Sequence, residues 1–379
     1  MGKREELDLR ILALNGLRRG RTTGSCATAA MKAALYLLLQ NEKREQVDVS
    51  LPDGSHFIVV PIQAVMHLSD DCVRGEVIKD GGDDPDNTHG ATIFAEVRKN
   101  DIGEIRFFAG KGVGTATQPG LKVKQGEPAI NPTPRQMMRE AVAEVLAETA
   151  ISTSMGFDLT IGCENGEQIA KKTFNPRLGV LGGISILGTS GIVEPMSLAA
   201  WIASIEAYVR VALGGNAEYV AYLPGKIGRP FSRDVLKLPE KRVVQIANFL
   251  GESLEFTEQA LREEGRRLDT LWLVGHPGKL AKVLDGVWDT HSSKSEMAMG
   301  AVARVAADCG FDPALVKEME SANTVEAIME QIRNEPNAPG LWAEIERRVS
   351  QQVHEKVPSV NRVEVRLFGL HGNALGEAA

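Results

Sequence analysis

The second half of the chain alternates short apolar runs with helical patterns, and this alternation restricts the fold more than any other feature. The runs lie at 184–187, 218–223, 243–249 and 271–274, and a segment with helical spacing follows each of them. Strands that alternate with helices form parallel sheets, because each helix returns the chain to the edge where the next strand starts. The second half is therefore predicted to form a parallel, doubly wound α/β sheet, with a last strand at 362–368.

The first half has a different pattern and is predicted to be an α+β domain with a mixed or antiparallel sheet. The Ala- and Leu-rich run 27–38 indicates a helix, with Thr23 or Ser25 as its N-cap. Two apolar runs, 47–51 and 56–60, flank a Pro-Asp-Gly-Ser turn that is typical of a hairpin. Further strands are predicted at 72–78, 91–98, 104–109, 158–161 and 168–172, and a second helix at 132–149.

Composition excludes several classes of protein. A formal net charge of −7 disfavours general nucleic-acid binding, which needs a broad basic surface. No run approaches the roughly 20 apolar residues that span a bilayer, and the charged start has no signal-peptide core. The four cysteines have no CxxC spacing, which favours a reducing compartment. We expect a cytoplasmic protein without nucleic-acid or membrane partners. Whether it forms a homo-oligomer is left open by the sequence.

A glycine-rich segment surrounds the predicted strand 184–187, and the helix after it is predicted to begin at Pro195. Backbone N–H groups and a helix dipole at such a strand end attract ligands. We therefore predict a ligand site there, and the alternative is a tight turn that needs small residues for packing. The predicted site comprises Gly183, Ser185, Gly188, Thr189, Ser190, Gly191 and Glu194.

Two other loops could carry chemistry. The acidic loop 80–90 has three possible interpretations. Its clustered carboxylates could bind Mg²⁺, or Asp83, Asp84 or His89 could act as an acid–base group. The third interpretation is a polar turn between strands. The glycine-rich loop 110–115 resembles a phosphate cradle but lacks the spacing of known phosphate-binding motifs.

The second half places a further polar group at a predicted strand end. His276 follows the run 271–274, Lys279 lies one turn into the next helix, and His291 is in the following loop. Strand ends of one parallel sheet share an edge, so we expect His276 to face the same crevice as 188–191.

Seven motifs follow one another along the chain in an order that resembles the CbiD family. They are RTTGSCATAA from Arg21, IKDGGDDPD from Ile78, GEPAINP from Gly126, FNPRLG from Phe174, ILGTSGIVEPMS from Ile186, GHPGK from Gly275 and THS from Thr290. The resemblance extends over nearly the whole chain. Arg21 and Ser25 depart from it, standing where an apolar residue and a threonine are expected.

The resemblance implies C(1)-methylation of cobalt-precorrin-5B to cobalt-precorrin-6A in anaerobic cobalamin biosynthesis. It implies S-adenosylmethionine as the methyl donor and a cobalt-containing tetrapyrrole as the acceptor. No protein-bound metal is expected, since cobalt belongs to the substrate. It also implies an α+β domain over 1–172 and a Rossmann-like domain over 173–379.

On this interpretation the residues take three roles. The glycine-rich segment 188–194 binds the donor, with 110–115 as a competing location. A proton released from the macrocycle could pass to His89, Glu194 or His276. Carboxylates of the acceptor require cations and helix N-termini, and the candidates for substrate binding are Arg18, Arg19, Arg21, Thr22, Thr23, Ser25, Asp83, Arg177, Lys279 and His291. The rival function is a phosphotransferase that uses loop 110–115 as a phosphate cradle, with Mg²⁺ held at 80–86.

Overall fold

The computed structural model describes residues 4–149, 155–225, 227–291 and 297–376. The chain forms two compact units, Met1–Leu198 and Ala199–Ala379. This division differs from the predicted boundary between 172 and 173, because segment 173–198 pairs with strands of the first unit. Each unit has its own buried core.

The first unit combines several small sheets with three helices in its described part. Its strands are β1 (Glu5–Glu6), β2 (Gly20–Arg21), β3 (Gln46–Ser50), β4 (His56–Pro61), β5 (Ala64–Ser69), β6 (Cys72–Ile78), β7 (Thr92–Asn100), β8 (Ile105–Ala109), β9 (Thr115–Ala116), β10 (Gly156–Cys163), β11 (Val180–Leu181) and β12 (Ile192–Val193). Its helices are α1 (Thr23–Gln40), α2 (Pro132–Glu148) and α3 (Gly166–Ala170).

The largest sheet of this unit has the order β5-β6-β7-β10-β8. Its neighbours are antiparallel except for β10 and β8, which are parallel, so the predicted mixed sheet is present. A second sheet has the order β1-β4-β3, and two-stranded pairs join β11 to β9 and β12 to β2. These two pairs attach the glycine-rich segment to the first unit.

Helix α1 forms the centre of the first unit. All its residues from Thr23 to Leu37 are buried, which explains why small alanine side chains fill the run. It packs against α2 and against β6 and β7 of the large sheet. A Cβ atom at Gly75 of β6 would lie only 2.1 Å from the Ala30 carbonyl oxygen, so the helix and the strand require glycine at their closest approach.

The second unit is built on a four-stranded parallel sheet, as the alternation predicts. Its strands are β13 (Tyr219–Leu223), β14 (Val243–Gln245), β15 (Leu268–Gly275) and β16 (Val360–Leu367), in the order β14-β13-β15-β16. Its helices are α4 (Leu198–Leu213), α5 (Gly228–Asp234), α6 (Leu250–Glu263), α7 (Pro277–Leu280), α8 (Met299–Asp308), α9 (Pro313–Ser321), α10 (Val325–Gln331) and α11 (Ala338–Lys356).

Apolar side chains pack on both faces of this parallel sheet. Tyr222 of β13 belongs to a large cluster that includes residues of α4, α6, α8 and α11. Its neighbour Leu223 belongs to a smaller cluster with Phe231 of α5 and with Phe368. Successive residues of a strand point to opposite faces, so helices cover the sheet on both sides.

Three local predictions were wrong. Segment 168–172 was predicted as a strand, but α3 ends at Ala170 within it. The helix predicted to begin at Pro195 begins at Leu198, and Met196 has a left-handed φ of 57° that no α-helix accommodates. Residues 184–187 make only isolated bridges, so they are not a strand of the parallel sheet.

No helix in the described part of the chain has the length and apolar character needed to cross a membrane.

Candidate functional site

The N-terminus of α1 is the point where the predicted loops of the first unit meet. Thr22 is the N-cap, with extended backbone angles of −76° and 162°, and its hydroxyl accepts a hydrogen bond from the Ser25 amide. The predicted caps, Thr23 and Ser25, were wrong, because both residues already lie inside the helix and an N-cap must not be helical.

The glycine-rich segment folds directly over this helix end. The Gly24 amide donates to the Leu187 carbonyl at 2.9 Å, and the Thr23 hydroxyl accepts from the Leu187 amide at 2.9 Å. The Ser25 hydroxyl donates to the Gly191 carbonyl at 2.7 Å. The hydroxyls that we predicted to bind substrate therefore hold the segment in place.

Close packing explains two glycines of the segment. Gly188 has a φ of 141°, and a Cβ there would lie 2.5 Å from the Thr22 hydroxyl. Gly191 has a φ of 80°, and a Cβ there would lie 2.7 Å from Leu51. These glycines do not follow a strand of the parallel sheet, because residues 184–187 are outside it, so the prediction that they share a sheet edge with His276 was wrong.

The remaining residues of the segment differ in exposure. Gly183 is buried, and a Cβ there would lie 2.2 Å from the Gly112 carbonyl oxygen. The Ser185 hydroxyl contacts Asn175 at 3.4 Å. Thr189, Ser190 and Glu194 are exposed, whereas Ser185 is partly buried.

The acidic loop lies against the strand that leads into α1. The Arg21 amide donates to the Asp80 carbonyl at 2.7 Å, and the Asp83 amide donates to the Arg18 carbonyl at 3.0 Å. The Asp83 carboxylate accepts from the Arg18 amide at 2.8 Å and pairs with its guanidinium at 3.1 Å. The amide and then the side chain of Arg18 hold the pKa of Asp83 below its ordinary value.

The carboxylates of this loop have separate partners. Asp80 accepts from the Gly82 amide at 3.0 Å, and Asp84 accepts from the Met196 amide at 2.9 Å. The described residues contain no cluster of three or more metal-ligating side chains. The arrangement gives the Mg²⁺ interpretation no structural support.

A buried ion pair beneath the loop was missed by the sequence analysis. Lys79 is 1% exposed, and its Nζ lies 2.6 Å from Asp86. Burial alone would raise the pKa of Asp86, but the charge of Lys79 and hydrogen bonds from Lys79 and Thr88 outweigh it and lower the pKa. The signal in the sequence was a lysine at the end of a strand with alternating burial, where an apolar residue is usual.

Two predicted functional residues bind each other. Arg19 Nε lies 2.6 Å from Glu194 Oε1, and only 18% of the Arg19 side chain is exposed. The pairing of β2 with β12 brings the two residues together. Arg21 donates from Nη2 to the Val59 carbonyl at 3.4 Å, and its Nε is buried without a hydrogen-bond partner in the described part of the chain.

His89 stands at the surface of the acidic loop, with about half of its side chain exposed. Its Nδ1 accepts a hydrogen bond from the Gly81 amide at 3.0 Å. A neutral imidazole that accepts at Nδ1 carries its proton at Nε2. In this neutral form His89 therefore carries a hydrogen-bond donor, not a lone pair, at Nε2.

Arg177 lies in the exposed part of the FNPRLG motif. Its backbone amide donates to the Phe174 carbonyl at 3.0 Å, and Asn175 Nδ2 donates to the Gly183 carbonyl at 3.1 Å. Among the residues that the structure describes, none forms an ion pair with the Arg177 side chain. Its guanidinium is therefore available to an anion.

The remaining predicted residues lie in the second unit. His276 caps α7 by accepting at Nδ1 from the Gly278 amide, and its Nε2 lies 2.7 Å from Glu326. Both ring nitrogens thus have partners. Burial, and then the charge of Lys282, lowers the pKa of Lys279. The His291 amide donates to Asp289 at 3.1 Å.

The competing loop 110–115 does not form a phosphate cradle. The Gly110 amide donates to the Ile161 carbonyl at 2.8 Å, and the Gly114 amide donates to the Ile184 carbonyl at 2.9 Å. A Cβ at Gly112 would lie 2.1 Å from the Cys163 carbonyl oxygen, so this glycine serves packing. Since these amides are used within the protein, the loop gives a phosphotransferase no support.

Two family models match the chain. The CbiD model matches residues 12–195, and the model of the CbiD C-terminal domain matches residues 289–379. A protein of Chromobacterium violaceum named cobalt-precorrin-5B C(1)-methyltransferase is 60% identical over 99% of both chains. The chain belongs to the CbiD family. The prediction from the seven motifs is thereby confirmed.

More distant CbiD relatives match over similar lengths. A protein of Moorella thermoacetica with the same name is 38% identical over 95% of this chain and 94% of its own. A crystal structure of a cobalamin biosynthesis protein (CbiD) from Archaeoglobus fulgidus is 31% identical, covering 74% of this chain and 84% of that one with a TM-score of 0.39.

Proposed function

We propose that this CbiD-family protein methylates carbon 1 of cobalt-precorrin-5B to give cobalt-precorrin-6A on the anaerobic route to cobalamin. The observation that carries the proposal is 60% identity over 99% of both chains with a relative that bears this activity in its name. The match extends over nearly the whole length of the relative, so it is not confined to a single domain.

We propose S-adenosylmethionine as the methyl donor. Its contacts would come from exposed side chains of the glycine-rich segment, namely Thr189, Ser190 and Glu194, beside the apolar Leu187, which is 49% exposed. Hydroxyls and a carboxylate suit ribose and amino groups, and an apolar side chain suits an adenine face. The buried glycines 183 and 191 would contribute shape alone.

The donor supplies an electrophilic methyl group on sulfur, and methyl transfer from sulfur to carbon is an in-line displacement. Such a reaction needs no protein nucleophile, and positioning of the two reactants supplies much of the acceleration. The chain's task is then to hold the acceptor by its carboxylates. Arg177 is exposed and suited to a bidentate contact with a carboxylate, and the Nε2–H of the half-exposed His89 is a second donor.

Among the three candidates for a proton acceptor, Glu194 fits best. His276 has partners at both nitrogens, and neutral His89 accepts at Nδ1 and carries its proton at Nε2, so it has no free lone pair. Glu194 uses Oε1 for Arg19, while its Oε2 makes no hydrogen bond to the described residues. We propose that Glu194 accepts the proton that leaves the macrocycle as the methyl group arrives.

The methyltransferase proposal is tested by anaerobic incubation with cobalt-precorrin-5B and donor that carries an isotopically labelled methyl group. We expect one labelled methyl group on the product corrinoid by mass spectrometry, with its position at carbon 1 confirmed by NMR. Absence of label from the corrinoid, with folded protein and intact acceptor, would refute the proposal.

The role of Glu194 is tested separately by Glu194→Gln. We expect kcat to fall by about 10²-fold or more, and the acid limb of the kcat–pH profile to disappear, as for loss of a general base. Glu167→Gln is the matched control, since Glu167 is exposed and outside the segment. Unchanged turnover of the Glu194 variant would refute the role of Glu194 as the proton acceptor, but it would not contradict the methyltransferase activity.

We also propose that the second unit is a Rossmann-like, doubly wound domain. The support is its parallel sheet of order β14-β13-β15-β16, in which the chain reverses its direction of winding after β14. Helices on both faces agree with this class.

A further inference from the structure

An open pocket of about 650 Å³ lies on the first unit beside the start of α2. No pattern in the sequence predicted this pocket. It is lined by Pro52, Lys122, Val123, Lys124, Glu127, Pro132, Thr133, Arg135, Gln136 and Arg139. The lining comes from two loops and one helix, and all of its residues belong to the first unit.

The lining carries an excess of positive charge. Arg135 pairs with Glu127 at 3.0 Å. The three other cations, Lys122, Lys124 and Arg139, make no ion pair with any residue that the structure describes. In a chain with a formal net charge of −7, three unpaired cations around one pocket indicate an anionic ligand.

The two arginines of the pocket are held by the fold. Arg135 and Arg139 are one turn apart on α2, and their guanidinium carbons lie 5.5 Å and 4.9 Å from the centre of the Phe107 ring. Arg135 Nε also donates to the Ile130 carbonyl at 2.8 Å. In the loop, Val123 lies between the two lysines in sequence and is buried, which anchors this part of the loop. A pre-ordered set of donors loses less entropy on binding a ligand.

The pocket adjoins the helix end where the predicted loops meet. Pro52 lines the pocket, and its Cδ lies 3.4 Å from the position of a Cβ on Gly191. Pro134, next to the lining residue Thr133, lies 2.8 Å from the corresponding position on Gly24. Residues beside the pocket therefore pack directly against the glycine-rich segment and the start of α1.

We infer that this basic pocket, formed by Lys122, Lys124 and Arg139, binds carboxylates of the tetrapyrrole acceptor. The inference rests on the proposed function. Arg18 and Arg19, the cations expected from the sequence to do this, already pair with Asp83 and Glu194. The acceptor carries several acetate and propionate arms, so it matches a site with several separated cations.

The methyl donor also carries a carboxylate, so the pocket could bind either substrate. The KM values of the two substrates distinguish these cases. In the double variant Lys122→Gln, Lys124→Gln, we expect KM for the tetrapyrrole to rise about tenfold at low salt, while KM for the donor stays within about twofold. A rise confined to the donor KM would overturn the inference. So would unchanged KM values for both substrates.

The matched control is the double variant Lys43→Gln, Lys99→Gln. Both lysines are exposed residues of the first unit outside the pocket, and the change in net charge is identical. We expect this variant to keep the wild-type KM for the tetrapyrrole. If the control raised that KM as much as the pocket variant, overall charge would be the cause and the inference would fail.

A binding measurement keeps the inference distinguishable from the proposed function. Uroporphyrin, a tetrapyrrole with eight carboxylates, is titrated into each protein and followed by its fluorescence. We expect the pocket variant to bind about tenfold more weakly than the wild type and the control, with a smaller dependence on salt. Equal affinities would overturn the inference even with methyl transfer intact, whereas a difference would support it even without methyl transfer.

Discussion

Glu346 allows a quantitative prediction about the stability of the second unit. It lies on α11 and is 8% exposed, and its Oε1 accepts from the Leu367 amide at 2.6 Å. Burial raises its pKa from 4.5 to about 7, against the opposing effects of the Leu367 amide and of Arg366. The folded protein therefore favours the protonated form of this carboxyl group.

The sign and size of the effect follow from linkage. A pKa raised on folding gives a contribution to stability that is complete below the unfolded pKa of 4.5 and is lost as pH rises through about 7. The full difference corresponds to about 3 kcal/mol at 1.36 kcal/mol per pKa unit, of which about 2.5 kcal/mol falls between pH 5 and pH 8. Glu346→Gln removes this loss, since glutamine still accepts from Leu367 without a charge.

The assay is urea unfolding followed by tryptophan fluorescence. All four tryptophans lie in the second unit, so the signal reports the unit that contains Glu346. We expect the variant to gain about 2.5 kcal/mol of unfolding free energy over the wild type between pH 5 and pH 8. Glu344→Gln, a neighbouring residue whose pKa is lowered by Arg347 and Arg348, should show no such gain. If the unfolding free energies of the wild type and of Glu346→Gln changed by the same amount between pH 5 and pH 8, the raised pKa of Glu346 would be refuted.

Three further predictions concern the first unit. Ser25→Ala removes the 2.7 Å hydrogen bond to Gly191 and should cost about 1–2 kcal/mol in urea unfolding by circular dichroism; an unchanged midpoint would contradict it. Lys79→Met leaves the Asp86 carboxylate without its cation and should cost about 3–5 kcal/mol, part of which Asp86→Asn should restore in the double variant. Burial raises the pKa of Cys26 to about 12, so iodoacetamide near neutral pH should label it only after unfolding; equal labelling of the native protein, by peptide mass spectrometry, would show that the site opens.

Local patterns in the sequence predicted most elements of the fold. The Ala- and Leu-rich run became α1, which is buried from Thr23 to Leu37. The spaced apolar runs became β13, β14 and β15 of one parallel sheet. These features depend on residues close together in the chain, where periodicity and helix propensity act directly. The family was also accessible, because seven motifs in a fixed order need no knowledge of geometry.

The candidate site was only partly predictable for the same reason. The three segments around residues 20, 85 and 190 were identified, and the structure does bring them together at the start of α1. The partners of their side chains were not identified. Glu194 lies 175 residues from Arg19, and Asp83 lies 65 residues from Arg18, so no local pattern reports either ion pair.

The amino-acid sequence by itself determined the family, the main helices and strands, and the segments that carry polar chemistry. Tertiary structure alone decided which cations stay available to a ligand. Folding pairs Arg19 with Glu194 through the contact of β2 with β12, while Lys122 and Arg139 have no carboxylate partner among the residues that the structure describes. The energy of an ion pair depends on the distance between its charges. For residues far apart in the sequence, only the folded structure sets that distance, so the sequence does not show which charges pair.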